Sequence, residues 1–172
     1  MPEHNALKIA ILTVSDTRTE ENDHSGNYLV EAVVAAGHQV HQKQILVDNK
    51  YKIRAALSQW IADPEVRVVL ITGGTGFTDR DITPEAVTPL LDKEIPGFGE
   101  LFRHLSYEEI GSSTMQSRAI AGIANGTFIF CLPGSSGACR TGWSKIIKIQ
   151  LDANNKPCNI IEILPRIITC SK

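Results

Sequence analysis

The stretch ITGGTGFTDRDITPEA, residues 71–86, sets three glycines, two aspartates and several threonines at the end of an apolar run. A strand leading into Gly73, Gly74, Thr75 and Gly76 offers backbone N–H groups unobstructed by side chains, and such a concavity holds phosphate oxygens. The same glycines also suit a tight strand-to-helix turn whose dihedral angles other residues avoid. In DITPEA, Thr83 is placed to cap a helix, Pro84 to take its first position and Glu85 its first turn, so the helix start is provided for without Asp81. A carboxylate left over beside a phosphate cradle is a candidate ligand for Mg²⁺, a hard cation that bridges protein carboxylate to substrate phosphate. Asp48 has two readings. Either it or Asn49 caps the helix that contains Ile53, and it also falls at a strand exit, where it can meet Asp81 at one site.

Three other groups carry polar chemistry. Ser15, Asp16 and Arg18 follow the first apolar run and either bind a ligand or form a loop entering a helix near Ser25. Pro133, Gly134 and Ser135 either present N–H groups at a helix start or turn the chain, with Ser135 or Ser136 as its cap. Ser117 and Arg118, in STMQSR, can hydrogen-bond a polar ligand or stand as an ordinary surface pair. The formal nucleotide motifs are absent: no lysine follows a glycine, which excludes GxxxxGK[ST], and GxGxxG does not occur. No Ser/His/Asp or Cys/His spacing supplies a covalent nucleophile.

The elements that must position these residues alternate. Residues 7–14, LKIAILTV, and 67–71, RVVLI, are nearly continuous apolar runs that suit strands buried on both faces. YLVEAVVAAGH reads as a helix ending near Gly37, QVHQKQILV as a strand, and NKYKIRAALSQWIAD as a helix whose Ile53, Leu57, Trp60 and Ile61 share one face. Strands alternating with crossover helices predict an α/β domain in three layers, with ligands beyond the carboxyl ends of the strands. TVSDTR, LVDNK and ITGGTG lie at three such exits. Asn125-Gly126 between apolar segments predicts a hairpin, and hence an antiparallel pair. After LPGSS comes a helix with Cys139, Trp143, Ile146, Ile147 and Gln150 on one side. The apolar tail from about residue 156 packs on a neighbouring subunit or folds back onto the domain.

A chain of 172 residues fits one domain with an ordinary core. Hydrophobic residues make up 42%, charged residues 21%, and the net charge is −2, so no basic field points to nucleic acid. No run approaches the roughly 20 apolar residues of a membrane span, and the N-terminal stretch does not read as a signal peptide, so we expect a cytosolic protein. Cys131, Cys139, Cys158 and Cys170 are widely spaced and the five histidines scattered, which signals neither zinc nor disulfides.

Taken in order, TVSDTR, LVDNK, ITGGTGFTDRDITPEA, PGFGELFR, STMQSRAIAG and LPGSSGACR closely resemble the MoaB and MogA family of molybdenum cofactor biosynthesis, which includes the gephyrin G domain. The resemblance runs from about Lys8 to Leu151, and SYEEIG and CRTGW lean toward its MoaB branch. It implies a three-layer α-β-α sandwich, mostly parallel with an antiparallel hairpin, assembled as a homo-trimer or hexamer. It also implies adenylyl transfer: molybdopterin, a pterin with a dithiolene and a terminal phosphate, reacts with Mg·ATP to give adenylylated molybdopterin and pyrophosphate.

Carried over residue by residue, the resemblance implies that Gly73, Gly74, Thr75 and Gly76 hold the substrate phosphate while Asp81 and Asp48 hold Mg²⁺ and stabilise charge. Ser117 and Arg118 would lie near the pterin pocket, and Pro133, Gly134 and Ser135 would form the proline-glycine loop. Ser15 and Asp16 would form the loop after the first strand. Gly137 departs from the pattern, since many relatives carry a lysine in this turn. A binding or assembly paralogue, working with other molybdenum cofactor biosynthesis proteins, is the alternative to an enzyme.

Overall fold

A computed structural model describes residues 6–167. The first apolar run is β1 (Lys8–Val14), followed by α1 (His24–Ala35), β2 (Gln39–Leu46), α2 (Lys50–Ala62) and β3 (Val66–Thr72). A short helix α3 (Thr83–Val87), a two-residue strand β4 (Lys93–Glu94) and the long α4 (Pro96–Ile110) come next, and a 3₁₀ segment (Gly111–Gln116) closes that half. The hairpin β5 (Ile120–Ala124) and β6 (Thr127–Leu132) then leads into α5 (Ser136–Gly142). That helix continues through a π-wound segment (Trp143–Ile147) into α6 (Lys148–Gln150), and α7 (Ile160–Ile163) lies in the tail.

The six strands form one mixed sheet in the order β2-β1-β3-β6-β5-β4. β2, β1, β3 and β6 are parallel, and β5 runs antiparallel to both β6 and β4. The hairpin expectation holds: Asn125 and Gly126 have φ of 47° and 77°, the left-handed pair a two-residue turn requires. Parallel strands are covered on both faces, which explains their unbroken apolar runs. Ile9 and Ile11 pack with Leu29, Val33, Val68, Leu70, Phe102, Phe130 and Trp143 on the face of α1, α4 and α5. Ala10, Leu12 and Val14 pack with Ile53, Leu57, Trp60, Val69 and Ile71 on the face of α2 and α3.

Local signals behave unequally. Asn49, not Asp48, caps α2, its side chain accepting from Tyr51 N and Lys52 N at 3.0 Å each, so Asp48 is not needed as a cap. Ser135 caps α5, accepting from Ala138 N at 3.1 Å. Thr83 does not cap α3. It is the first helical residue, and its hydroxyl is spent on the carbonyl of Gly73 at 2.8 Å, so α3 starts without a side-chain cap.

The tail folds back. Ile160 and Leu164 are buried in the face that holds Trp143 and Leu151, with Ile161, Ile163 and Ile167 packed beside them. Residues 168–172, including Cys170, lie outside the described residues. No helix among the described residues is long and apolar enough to cross a membrane. Ile160→Ala or Leu164→Ala is expected to lower unfolding free energy by about 2–3 kcal/mol in urea titration, the cost of emptying a buried aliphatic site. Light scattering is expected to give an unchanged mass. A mass change with unaltered stability would mean that the tail works between subunits instead.

Candidate functional site

Strand order places the site. The connection β1-α1-β2 runs to one side of β1 and β2-α2-β3 returns to the other, so β1 and β3 flank a topological switch point. The loops leaving β1, β3 and β6 meet there and line a cleft of ≈ 590 Å³ with α4 and α5, within the range of small-molecule sites. Of the residues singled out in the sequence, Ser15, Asp48, Gly73, Gly74, Thr75, Gly76, Asp81, Ser117, Pro133, Gly134 and Ser135 line this cleft. Asp16 and Arg118 do not; Asp16 is exposed, and Arg118 lines a second cavity.

The glycine loop is a tight turn and a cleft wall at once. Gly73 has φ of 106°, its N–H donates to Leu132 O at 2.9 Å, and a Cβ there would stand 2.2 Å from the Val14 carbonyl oxygen. Gly74, at φ 68°, would drive a Cβ to 2.4 Å from the Thr83 hydroxyl and 3.2 Å from Asp48 Oδ1. Thr83 fastens the loop twice, its N–H donating to Gly74 O at 2.9 Å and its hydroxyl to Gly73 O.

Arg118 fastens the far end. Its backbone N–H donates to Thr75 O at 3.0 Å, Nε to Gly76 O at 2.8 Å and one terminal nitrogen to Asp81 O at 2.7 Å, while the other pairs with Glu85. All of its donors are directed to the loop and the helix after it. Arg118 is therefore a positioning residue for the loop in this structure.

Asp81 is not a spare carboxylate. Its Oδ2 accepts from Thr78 N at 2.9 Å and Thr78 Oγ1 at 2.6 Å, folding the loop back on itself. Partial burial acts to raise its pKa, but the hydrogen bonds from Thr78 and the Gly76 backbone, with the nearby Arg118 charge, hold it below the ordinary aspartate value. Asp81 is thus anionic and fixed.

Asp48 differs. Loss of hydration, then the charges of Asp16 and Asp81, push its pKa above the ordinary value, against the opposing pull of Arg80. Asp16 supports it: Oδ1 accepts from Asp48 N at 3.1 Å, and Oδ2 receives Arg80 Nε at 2.7 Å and a terminal nitrogen at 2.6 Å. The Arg80 hydrogen bond, then that from the Asp48 backbone, holds the Asp16 carboxyl low. Asp16 sets the position of Asp48 and occupies Arg80.

No group of three or more His, Cys, Asp or Glu side chains among the described residues is placed to hold a metal ion. A cation in the cleft would therefore rest on the two carboxylates Asp48 and Asp81 together with oxygens of a bound phosphate, an arrangement Mg²⁺ accepts. The crowding around Asp48 fits a cation, which would relieve it. Two of the cysteines are held away from chemistry: Cys131 and Cys139 are buried, and burial pushes the Cys139 thiol up to about 11.

Sequence reasoning missed one whole wall of the cleft. Phe102, Ser106, Glu109 and Ile110 of α4, Ser113 and Gln116 of the 3₁₀ segment, and Thr141 of α5 line it. Glu109 accepts from Thr141 Oγ1 at 2.9 and 3.0 Å and from Lys145 Nζ at 3.1 Å. A readable signal existed, because Glu108 and Glu109 stand in the last helical turn, where the helix dipole disfavours anions. Ser117 Oγ, on the same cleft, is buried and has no hydrogen-bond partner.

A switch-point cleft walled by glycine loops and carboxylates defines an α/β protein with a small-molecule cleft at its strand ends. Comparison with known proteins makes this specific. Residues 10–153 match the family described as a probable molybdopterin binding domain, and the chain belongs to that family. It is 60% identical over 152 residues, 88% of this chain and 89% of the relative, to molybdenum cofactor biosynthesis protein B of Escherichia coli K12. A crystal structure of a molybdenum cofactor biosynthesis protein B superposes with a TM-score of 0.87 at 48% identity, covering 94% of this chain and 98% of that one. The tungsten cofactor synthesizing protein MoaB of Pyrococcus furiosus superposes with a TM-score of 0.80 at 38% identity, covering 94% and 97%.

The clamp on the loop is testable. Arg118→Lys keeps the charge but cannot reach three acceptors with a planar fork. We expect a loss of about 1–2 kcal/mol in denaturant titration, as carbonyls lose their donors. Faster amide exchange is expected across residues 74–81, and wild-type exchange there would show that the loop stands without Arg118.

Proposed function

We propose that the cleft binds molybdopterin by its terminal phosphate and adenylylates that phosphate with ATP. The observation that carries this reading is the meeting of Gly73–Gly76, Pro133–Ser135, Asp48 and Asp81 in one cleft at the exits of β2, β3 and β6. An oxygen of the molybdopterin phosphate attacks the α-phosphorus of ATP, the new P–O–P bond forms, and the bond to pyrophosphate breaks with its electron pair leaving on pyrophosphate. The protein supplies no nucleophile and needs none. Its work is positioning and charge neutralisation, the general logic of phosphoryl transfer. Mg²⁺, held by Asp48 and Asp81, would neutralise the negative charge of the phosphates.

Each loop has a part. The Gly73–Gly76 backbone and the start of α5 grip the molybdopterin phosphate, with the Ser117 hydroxyl buried beside them. Arg118 and Thr83 hold the loop still, and Asp16 holds Asp48. Self-association belongs to the same proposal: Leu101, Tyr107, Ile110 and Met115 expose apolar side chains along α4 and the segment after it, a surface suited to a trimer or hexamer of a cytoplasmic protein.

Gly137 favours a second reading, a molybdopterin-binding protein without turnover. It lines the cleft without a side chain, where the resemblance implies a lysine. A Cβ built there meets nothing within 4 Å, so a lysine fits.

The deciding assay mixes purified protein, molybdopterin, ATP and Mg²⁺ and follows adenylylated molybdopterin. Asp81→Asn and Asp48→Asn are each expected to lower the rate by about 100-fold or more, the scale of losing a charge-stabilising group. Molybdopterin bound tightly with no product from the wild type would leave only the binder.

The same aspartate makes a stability prediction of opposite sign. A raised pKa means that the folded state binds the proton more tightly, so ionising Asp48 destabilises the fold above that pKa. Asp48→Asn is expected to raise the melting temperature at neutral pH, with the gain shrinking as the pH falls through the raised pKa and absent below the ordinary aspartate value. Gly137→Lys is expected to raise ATP affinity about tenfold, scored by equilibrium binding. An unchanged affinity would mean that the missing cation does not limit binding.

A further inference from the structure

The wall formed by α4 and the far end of α5 has no part in the phosphate chemistry above, yet it carries a braced carboxylate. Glu109 is its only carboxylate; Asp23, Asp48 and Asp81, which also line the cleft, come from the loops after β1, β2 and β3. It is braced from α5 and the π-wound segment after it. Thr141, itself buried, donates its single hydroxyl proton between Oε1 at 2.9 Å and Oε2 at 3.0 Å, and Lys145 Nζ donates to Oε1 at 3.1 Å. A carboxylate has about four acceptor positions. These three contacts fill the fork between the two oxygens and the second position of Oε1, leaving a position on Oε2 of a side chain that lines the cleft and is 43% exposed.

Nothing in the helix calls for a carboxylate here. The last turn of α4 is the negative end of its dipole, where glutamate is disfavoured. The Thr141 hydrogen bond, then that of Lys145, nevertheless holds its pKa below the ordinary glutamate value, so it is an ionised acceptor at neutral pH. Its distance from the phosphate grip follows from the helix. Thr141 lies six residues along from Ser135, about 9 Å at 1.5 Å per residue.

A ligand matched to this cleft has an anion at one end and, across a few fused rings, an N–H donor at the other. A pterin has that donor in its 2-amino group, and a hydrogen bond from it to a carboxylate is charge-assisted. Resting on the reading that molybdopterin occupies the cleft, we propose that Glu109 determines specificity by accepting an N–H of the pterin's 2-amino group on Oε2. Phe102 and Ser106 of α4 and Gln116 flank it within the same wall. Replacing the 2-amino group by a carbonyl, as in lumazine, would turn an oxygen toward the carboxylate and leave the pair mismatched.

The test uses the full chain, wild type and Glu109→Gln, with direct titration by molybdopterin followed by displacement with pterin or with lumazine. In the wild type, pterin is expected to displace molybdopterin at about tenfold lower concentration than lumazine, since a site built for N–H donors rejects the analogue that lacks one. Glu109→Gln is expected to bind molybdopterin about tenfold more weakly and to lose that preference. A variant with wild-type molybdopterin affinity overturns the assignment. So does one that loses affinity while still preferring pterin, because a merely structural glutamate would weaken both ligands alike. Both of those results leave molybdopterin binding standing; a wild type that takes up no molybdopterin overturns that reading and the role of Glu109 with it.

Discussion

The chain leaving β3 has to turn between the ends of two neighbouring parallel strands. On one side lies the Val14 carbonyl oxygen, 2.2 Å from where a Gly73 Cβ would be; on the other is Gly134, whose own Cβ would stand 3.3 Å from the Gly73 Cα. Only a residue without a side chain passes, and only at the positive φ observed. The rest of the site follows from that passage. Because the loop lies flat against the strand ends, Thr83 reaches two of its carbonyls and Gly74 comes close to Asp48. Asp81, ten residues after β3 begins to unwind toward α3, is then drawn over the same cleft by Thr78. The glycines are required by geometry, and that same geometry makes the loop a backbone-lined wall for an anion.

Charge is arranged around this wall with a cost left unrelieved. Asp16 and Arg80 satisfy each other, Asp23 is neutralised by Lys43 at 3.0 Å, and Arg118 serves the loop carbonyls. Asp48 feels two like charges, and the one opposing charge beside it, Arg80, is paired to Asp16. A fold selected for stability alone would carry asparagine there. Retaining a carboxylate that opposes folding is the pattern expected where function and stability compete, with the strain confined to a few residues and the scaffold stable enough to absorb it.

How far this was legible from the sequence depends on the range of each interaction. Apolar runs buried on both faces report a parallel sheet directly, and Asn125-Gly126 and Asn49 act within two or three residues, so strands, hairpin and cap were readable. Thr83 was misassigned because its hydroxyl found a tertiary acceptor, Gly73 O, in place of its own helix. Asp81 was read as unused because its partner, Thr78, precedes it inside a loop that propensity does not describe. The roles of Asp16 and Arg118 as braces, and the Glu109–Thr141 wall, arise between segments more than 30 residues apart. No local pattern encodes them. The one local trace was a misfit, a glutamate pair at the wrong end of a helix dipole.

Fold and loops are common to a catalyst and a mere binder of molybdopterin, so what divides the two readings is electrostatic. In the cleft, Glu109 is paired with Lys145, while Asp48 and Asp81 meet no free cation among the described residues: Arg80 is taken by Asp16, and Arg18 is turned to the Asn22 carbonyl at 2.9 Å. Gly137 adds nothing. A ligand with one phosphate can enter such a site on backbone N–H groups, its pterin end compensating Glu109. A triphosphate brings several negative charges toward Asp48 and Asp81, and at a few ångströms like charges repel strongly wherever water is thinned. On the catalytic reading, ATP would therefore enter this cleft only with a divalent cation. The two aspartates that oppose the nucleotide alone are the groups that would hold that cation, so metal dependence belongs to the catalytic reading and not to simple pterin binding.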